Sequence, residues 1–251
     1  MLTSKFRVRA DPEDFRDLAY QAQSVLLRPE VDLRSWASPP ENQDHLGSCI
    51  GNALVGAYEL LLKHQHPEDF TYLSRLFVYY NARLLEDIVT EDAGAYIRDG
   101  VRAVAQYGIC AESIWPYDIN QFATKPTEAS YADAQQRLIK NYRRLANLDD
   151  ILDALNQNLP VVFGMKVYAG FEDITPEHYV LVIPDATEQP IGGHAMVAVG
   201  YDLNEKLLLV RNSFGIDWGW SGYCQIPFRY AESEFVDMWV FDLDLRLTDH
   251  K

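Results

Sequence analysis

The sequence is poor in cysteine, in positive charge and in long hydrophobic runs. Its 251 residues include three cysteines, and 22 Lys and Arg stand against 37 Asp and Glu, which gives a net charge of -15. This excess of negative charge argues against nucleic-acid phosphates or anionic membranes as the main partner. No stretch is long enough to span a bilayer, and the charged N-terminal residues contain no signal-peptide core. We therefore expect a cytoplasmic protein that binds neither nucleic acid nor membrane; its oligomeric state stays open.

The cysteines Cys49, Cys110 and Cys224 form an odd and sparse set. Such a set is typical of a reducing compartment rather than of a disulfide-stabilised secreted domain. A bridge between Cys110 and Cys224 stays open from the sequence, but each lies beside apolar or aromatic residues, where a buried free thiol is the more frequent outcome. No two of the three have metal-ligand spacing. We expect neither a metal nor a cofactor.

The first half of the chain is predicted to be mainly helical. Residues 1–40 are polar and interrupted by prolines, so we predict an extended arm that partly crosses to a second lobe and has little with which to pack. From Cys49 apolar residues recur at helical spacing, behind Ser48 as a candidate N-cap. Further helices are predicted over 73–86 and 97–107, the latter ending at Gly108. Residues 41–145 are thus assigned to a helical lobe.

The second half has a different pattern. Residues 120–142 are polar and are predicted to form a surface connection, and a short helix is predicted over 149–156. Three runs rich in β-branched residues then follow, over 161–167, 195–199 and 207–210. Residues 146–251 are therefore predicted to form a β-barrel-like lobe. The predicted fold class is α+β, with two lobes and a cleft between them, where sites are common.

Three residues in this arrangement suggest covalent catalysis. Cys49 opens an apolar helix, so its sulfur should lie near free backbone N–H groups and the positive end of the helix dipole, which lowers a thiol pKa. His194 begins a predicted strand behind Gly193, and Asn212 directly follows the next strand. Adjacent strands could deliver the imidazole and the carboxamide to one edge of the β lobe. Cys49 is then a candidate nucleophile, His194 its base and Asn212 the group that orients the base.

Each residue alone has a simpler interpretation: a core cysteine, a structural histidine and a turn asparagine. Their surroundings, however, form three ordered motifs, and these motifs resemble those of the papain family. The motifs are Gln43-Asp44-His45-Leu46-Gly47-Ser48-Cys49, Gly193-His194-Ala195, and Asn212-Ser213-Phe214-Gly215 with Trp218-Gly219 and Gly222-Tyr223. The distance from Cys49 to His194 lies within the range of about 130–150 residues typical of papain-type enzymes, and Asn212 lies slightly beyond it.

The resemblance implies a papain-like fold and roles for further residues. Gln43, six residues before Cys49, would donate a side-chain N–H to the oxyanion, together with the backbone N–H of Cys49. Gly94 and Ala95 stand where the family has paired glycines that bind substrate backbone. Gly193 and Trp218 are the other residues expected to contact substrate.

Several positions depart from the family pattern. Leu46 replaces a cysteine that forms a disulfide in secretory members, as expected in a reducing cytoplasm. Ile50 replaces the aromatic residue that usually follows the nucleophile. Phe214 replaces a tryptophan and should still shield the bond between Asn212 and His194 from water.

The implied reaction is hydrolysis of peptide bonds in a peptide or protein substrate, through an acyl-enzyme on Cys49. Acyl transfer to an amine and a non-catalytic papain-like binding module are the alternatives. The arm is short for a helical inhibitory propeptide, so we expect the chain to be active without losing it. The cluster of His64, His66, Glu68 and Asp69 is interpreted as a solvated helix end rather than a metal site.

Overall fold

The computed structural model describes residues 6–23 and 26–246. The helices of this part of the chain are α1 (Cys49–Gln65), α2 (Arg75–Leu85), α3 (Ile97–Tyr107), α4 (Glu128–Ala134), α5 (Leu148–Asn156) and α6 (Phe228–Glu234). Helix α1 is buried over almost its whole length because α2, α3 and the sheet pack around it. An all-round apolar sequence of this kind is typical of a central helix. None of the described helices is long and apolar enough to cross a bilayer.

The ends of the first three helices are set by different local contacts. Helix α1 begins at Cys49 as predicted, but the Ser48 side chain makes no capping bond. Its hydroxyl instead pairs with the hydroxyl of Tyr117, 2.5 Å away. Helix α2 does have a side-chain cap, because Ser74 accepts a hydrogen bond from the N–H of Phe77. Helix α3 ends at Gly108, whose φ of +80° suits a residue without a Cβ.

The strands form one antiparallel sheet. They are β1 (Glu30–Asp32), β2 (Arg137–Arg144), β3 (Val161–Val167), β4 (Gly192–Asp202), β5 (Leu207–Arg211), β6 (Tyr223–Pro227) and β7 (Phe235–Leu245). Their order is β2-β7-β3-β4-β5-β6, and β1 pairs with β4. The three predicted strands are present as β3, β4 and β5. Because β4 and β5 are neighbours, the residues that begin β4 and follow β5 share one sheet edge.

The prediction of a plain surface connection over 120–142 is wrong. This stretch contains α4 and most of β2, which pairs with β7 at the end of the sheet. Ion pairs support the pairing: Arg143 lies 2.9 Å from Asp242 and Lys140 lies 3.9 Å from Asp244. The range 41–145 therefore ends in a strand of the sheet.

The N-terminal arm packs more closely than its composition suggests. Phe6, Val8 and Tyr20 are buried, and β1 joins the sheet through β4. The expectation that the arm has little with which to pack is therefore wrong. The three cysteines are free and buried, so the Cys110–Cys224 bridge is not formed.

Candidate active site

Helix α1 brings Cys49 against strand β4 in the interior of the molecule. The side chain is fully buried, and the backbone N–H groups of Ala195, Ile50 and Cys49 itself are directed at the sulfur. These groups belong to the first turn of α1 and to the residue after His194. The first N–H groups of a helix have no partner within it, so they are free to bind a negative charge.

His194 is bonded to Asn212 as the adjacent strands suggest. Its Nε2 lies 2.8 Å from Asn212 Oδ1, which also accepts a hydrogen bond of 2.8 Å from the backbone N–H of Ser213. Because a carboxamide oxygen can only accept, Nε2 is the donor and carries a proton. The ring of Phe214 lies 5.1 Å from the His194 ring and covers this side of the pair. The predicted shielding by Phe214 is thus in place.

Gln43 joins the loop before α1 to the segment after β5. Its side chain is fully buried, accepts a hydrogen bond of 2.5 Å from the Ser213 hydroxyl and donates one of 2.9 Å to the Leu46 carbonyl. Its backbone N–H also donates to Ser213 O at 2.8 Å. The amide group therefore has one orientation, with its nitrogen towards the loop that leads to Cys49.

Tyr117 was not predicted from the sequence to take part in the site. Its hydroxyl donates to the Gln43 carbonyl at 2.9 Å and pairs with the Ser48 hydroxyl. Asn52, one turn into α1, donates to both the carbonyl and the hydroxyl of Ser48. Arg75 donates to Asn52 and lies over the Tyr117 ring, with its guanidinium carbon 4.1 Å from the centroid. A buried polar network thus supports the loop between Gln43 and Cys49. A tyrosine far along the chain from the motifs gives no sequence signal for this contact.

The predicted substrate-binding residues Gly94 and Gly193 hold a polypeptide backbone in this structure, and it is the arm. Val8 N–H donates to Gly193 O at 3.0 Å, and Gly193 N–H donates to Phe6 O at 3.3 Å. Gly94 has a φ of +72°, and a Cβ placed there would lie 2.5 Å from the carbonyl oxygen of Arg7. Both glycines are thus needed for the close approach of the two chains.

The other two predicted contacts lie next to residues that touch the arm. Ala95 is fully buried and stands between Gly94, which Arg7 approaches, and Tyr96, which forms a bridge with Arg9. Trp218 packs its ring against Phe171 and Phe214, at 5.4 and 5.8 Å between centroids. A cavity of about 550 Å3 lies beside the arm. Its lining includes Val8, Ala93, Met165, Gly192, Gly193 and Val236.

The predicted lowering of the Cys49 pKa is wrong for this conformation. Burial raises the pKa of the thiol to about 11, although the N–H groups of Ala195, Ile50 and Cys49 act to lower it. Removal of water destabilises the thiolate by more than the hydrogen bonds from these N–H groups stabilise it. The conformation with the arm in the cleft therefore stabilises the protonated thiol.

The histidine cluster at the end of α1 lies away from these residues. Ligand atoms of His66, Glu68 and Asp69 lie within 4.8 Å of one another on the surface. His64 instead stacks on Trp36, with ring centroids 3.7 Å apart. Exposed acidic groups of this kind are common without an ion.

Comparison with known proteins agrees with this geometry. A family model described as papain family cysteine protease matches residues 27–238. An uncharacterized peptidase C1-like protein, L477, of Acanthamoeba polyphaga mimivirus is 37% identical over 237 residues, covering 85% of this chain and 76% of that protein. Papain of Carica papaya is 28% identical over 194 residues, which are 75% of this chain and 51% of the papain sequence.

Among solved structures, xylellain, a cysteine protease from Xylella fastidiosa, superposes with a TM-score of 0.87 at 32% identity, with 96% of both chains covered. This agreement extends over both the helices and the sheet, so the fold is papain-like and of the α+β class. The family match and two relatives above 30% identity show that this chain belongs to the papain family of cysteine proteases.

Proposed function

We propose that the protein is an endopeptidase that hydrolyses peptide bonds through a thioester on Cys49. The observation that carries this proposal is the arm itself: residues 6–9 lie as an extended chain across Gly193 and Tyr96, beside His194. A cleft that holds an extended segment of its own chain has the shape and the backbone donors and acceptors to hold a peptide substrate.

The proposed reaction assigns one role to each residue. The Cys49 thiolate attacks the scissile carbonyl carbon, so that an S–C bond forms and the carbonyl oxygen takes up the negative charge. The backbone N–H of Cys49 and the second N–H of the Gln43 amide stabilise that oxyanion. The C–N bond then breaks, and the His194 imidazolium gives its proton to the leaving amine.

The second half of the reaction releases the acyl group. His194, now neutral, takes a proton from water, and the resulting hydroxide attacks the thioester. The S–C bond breaks, which yields a carboxylic acid and restores the thiolate. Asn212 keeps the imidazole oriented through both steps by accepting the Nε2 proton in a hydrogen bond.

The arm must leave before a substrate can bind, because Phe6 lies against His194 and Arg7 fills the space beside Gly94. The proposal also includes a reducing, cytoplasmic setting, which the three free thiols support.

The test is hydrolysis of a fluorogenic peptide library in reducing buffer, with the full chain and with a Phe6→Ala variant that loosens the arm. We expect Cys49→Ala to reduce turnover by at least about a thousandfold and Cys110→Ala, which removes another buried thiol, to leave it unchanged. Turnover that persists in Cys49→Ala would contradict the proposal. Adding glycinamide separates hydrolysis from acyl transfer, since a transamidase gives mainly the amide product. Binding of peptides without any turnover would favour the binding-module alternative.

A further inference from the structure

Two acidic side chains stand on the helical side of the cleft. Asp92 lies in the loop between α2 and α3, and its Oδ1 accepts hydrogen bonds from Gly47 N–H at 2.9 Å and from the Tyr79 hydroxyl at 2.6 Å. Glu86 directly follows α2, and its Oε1 accepts the Tyr96 N–H at 2.7 Å. Each carboxylate therefore uses one oxygen to hold the backbone of the cleft wall. Its position is fixed without any ligand.

The second oxygen of each carboxylate faces an arginine of the arm. Asp92 Oδ2 lies 3.6 Å from Arg7, and Glu86 Oε2 forms an ion pair with Arg9. The Arg9 guanidinium also lies over the Tyr96 ring, 4.1 Å from its centroid. Burial raises the pKa of the Glu86 carboxyl, and the charge of Arg9 acts against that rise. Once the arm leaves, both carboxylates lose a cation.

The arm alternates between two kinds of side chain. Phe6 and Val8 are apolar. The Phe6 ring contacts His194, and Val8 packs against Gly164 of β3, where an added Cβ would lie 3.1 Å from Val8 Cγ1. Arg7 and Arg9 point to the opposite wall. Alternate side chains of an extended chain share one face whichever way the chain runs. A second peptide can therefore meet both walls if it repeats this two-residue spacing.

We propose that Asp92 and Glu86 form an acidic wall that selects peptides with two cationic side chains separated by one apolar residue. This inference rests on the proposed function, because it names the substrate class of the same cleft. The net charge of -15 favours the approach of cationic peptides from solution. The fixed orientation of the two carboxylates favours cations over neutral polar side chains of the same shape.

The test measures binding rather than turnover, so that it does not depend on the chemistry. A full-length Cys49→Ser protein is titrated with two fluorescent peptides that differ only in having arginine or citrulline at two alternate positions. Citrulline keeps the shape of arginine without its charge. When the arm occupies the cleft, it weakens the binding of both peptides by the same factor. The ratio of their dissociation constants therefore reports on the acidic wall alone.

We expect the arginine peptide to bind about tenfold more tightly at low salt, since partly exposed ion pairs contribute about two- to fivefold each. The preference should shrink as salt is raised to about 0.5 M. Asp92→Asn and Glu86→Gln keep the backbone bonds and remove the charges, so each should reduce the ratio and the double variant should bring it close to one. Asp242→Asn, a charge removal on β7, is the matched control and should leave the ratio unchanged.

Equal binding of the two peptides, or a ratio that the double variant leaves intact, would overturn the proposal. Absence of binding by either peptide up to about 1 mM would also overturn it, because the wall would then serve the arm alone. Failure of the proposed function has a separate signature. In that case the wild-type chain, which retains Cys49, would not turn over any peptide. This result does not depend on whether the Cys49→Ser variant prefers the arginine peptide.

Discussion

The ring of Phe6 lies edge-on against the ring of His194, with centroids 5.5 Å apart and planes at 77°. Phe6 also packs against Phe171 at 5.8 Å, and it is only 5% exposed. A residue of the arm thus covers the proposed catalytic base. In this conformation the protein is expected to be latent.

The first prediction is that Phe6→Ala raises the initial peptidase rate of the full chain. The substitution removes a buried aromatic side chain and so weakens docking of the arm in the cleft. Each decrease of about 1.4 kcal/mol in the free energy of docking increases the fraction of molecules with an open cleft about tenfold. Phe15→Ala is the control, because Phe15 lies on the same arm and is 99% exposed. Initial rates are measured with intact mass recorded in parallel, so that loss of the arm by cleavage is seen.

A wild-type chain that shows full activity at once, unchanged by Phe6→Ala, would contradict this prediction. The sequence-based expectation of activity without loss of the arm stays a prediction of its own. The contact between Phe6 and His194 favours the opposite result, a lag that ends as the arm is displaced.

The second prediction concerns the pH dependence of Cys49 alkylation. Because burial raises the thiol pKa to about 11, the thiol is protonated at neutral pH, and only the thiolate reacts. Labelling of the wild-type chain by iodoacetamide should therefore be slow at pH 7 and rise towards pH 11. In Phe6→Ala, access of water and a charged imidazole should shift the rise to lower pH. Peptide mapping separates Cys49 from Cys110 and Cys224. A wild-type rate already at its plateau at pH 7 would rule out the raised pKa.

The third prediction is that Tyr117 acts by positioning the loop between Gln43 and Cys49, which carries the proposed oxyanion donors. Tyr117→Phe removes the hydroxyl that bonds the Gln43 carbonyl and Ser48. We expect kcat to fall about tenfold, equal to about 1.4 kcal/mol of transition-state stabilisation, with KM unchanged. Tyr131→Phe is the control, since it removes a hydroxyl that donates to Asn81 at 2.9 Å, from a ring that is also half-buried. Equal losses of kcat in both variants would indicate a general effect on stability.

The fourth prediction is that Asp11 anchors the arm beyond the cleft. Its carboxylate accepts hydrogen bonds from Arg98 N–H at 3.1 Å and from the Trp239 indole at 3.0 Å, and its own N–H donates to Asp237 at 2.7 Å. Asp11→Ala leaves buried donors unpaired, which costs about 1–3 kcal/mol. We expect a lower Tm and faster removal of the arm by added trypsin. Glu13→Ala, at an exposed position, should change neither. If trypsin removes the arm no faster from Asp11→Ala than from wild type, Asp11 does not anchor the arm.

The bond between His194 and Asn212 could be predicted because its determinants are local. A histidine at the start of one strand and an asparagine at the end of the next are placed by β4 and β5, and both strands have clear β-branched patterns. The start of α1 at Cys49 is equally local. Strand β2 was missed because it is rich in arginine: Leu138 and Ile139 are buried, and pairing of its basic residues with the acidic residues of β7 adds to that burial.

The position of the arm and the sign of the thiol pKa shift depend on long-range packing. The apolar alternation of Phe6 and Val8 is too short to indicate a strand, and the partners Gly193 and Tyr96 lie far along the chain. The dipole of α1 was correctly placed beside Cys49. The dipole lowers the thiol pKa by less than burial raises it, because removing water destabilises the thiolate. The extent of that burial could not be read from the sequence pattern.

The most direct test of the central claim, a thioester on Cys49, is capture of the acyl-enzyme itself. A peptide ester is mixed with the Phe6→Ala protein, quenched in acid within the first turnover, and analysed by intact mass and peptide mapping. We predict a mass increase equal to the acyl fragment, located on the peptide that contains Cys49 and missing when Cys49→Ala is added to the same background. Hydrolysis of the ester with no adduct on Cys49, or with an adduct that survives Cys49→Ala, would contradict the account.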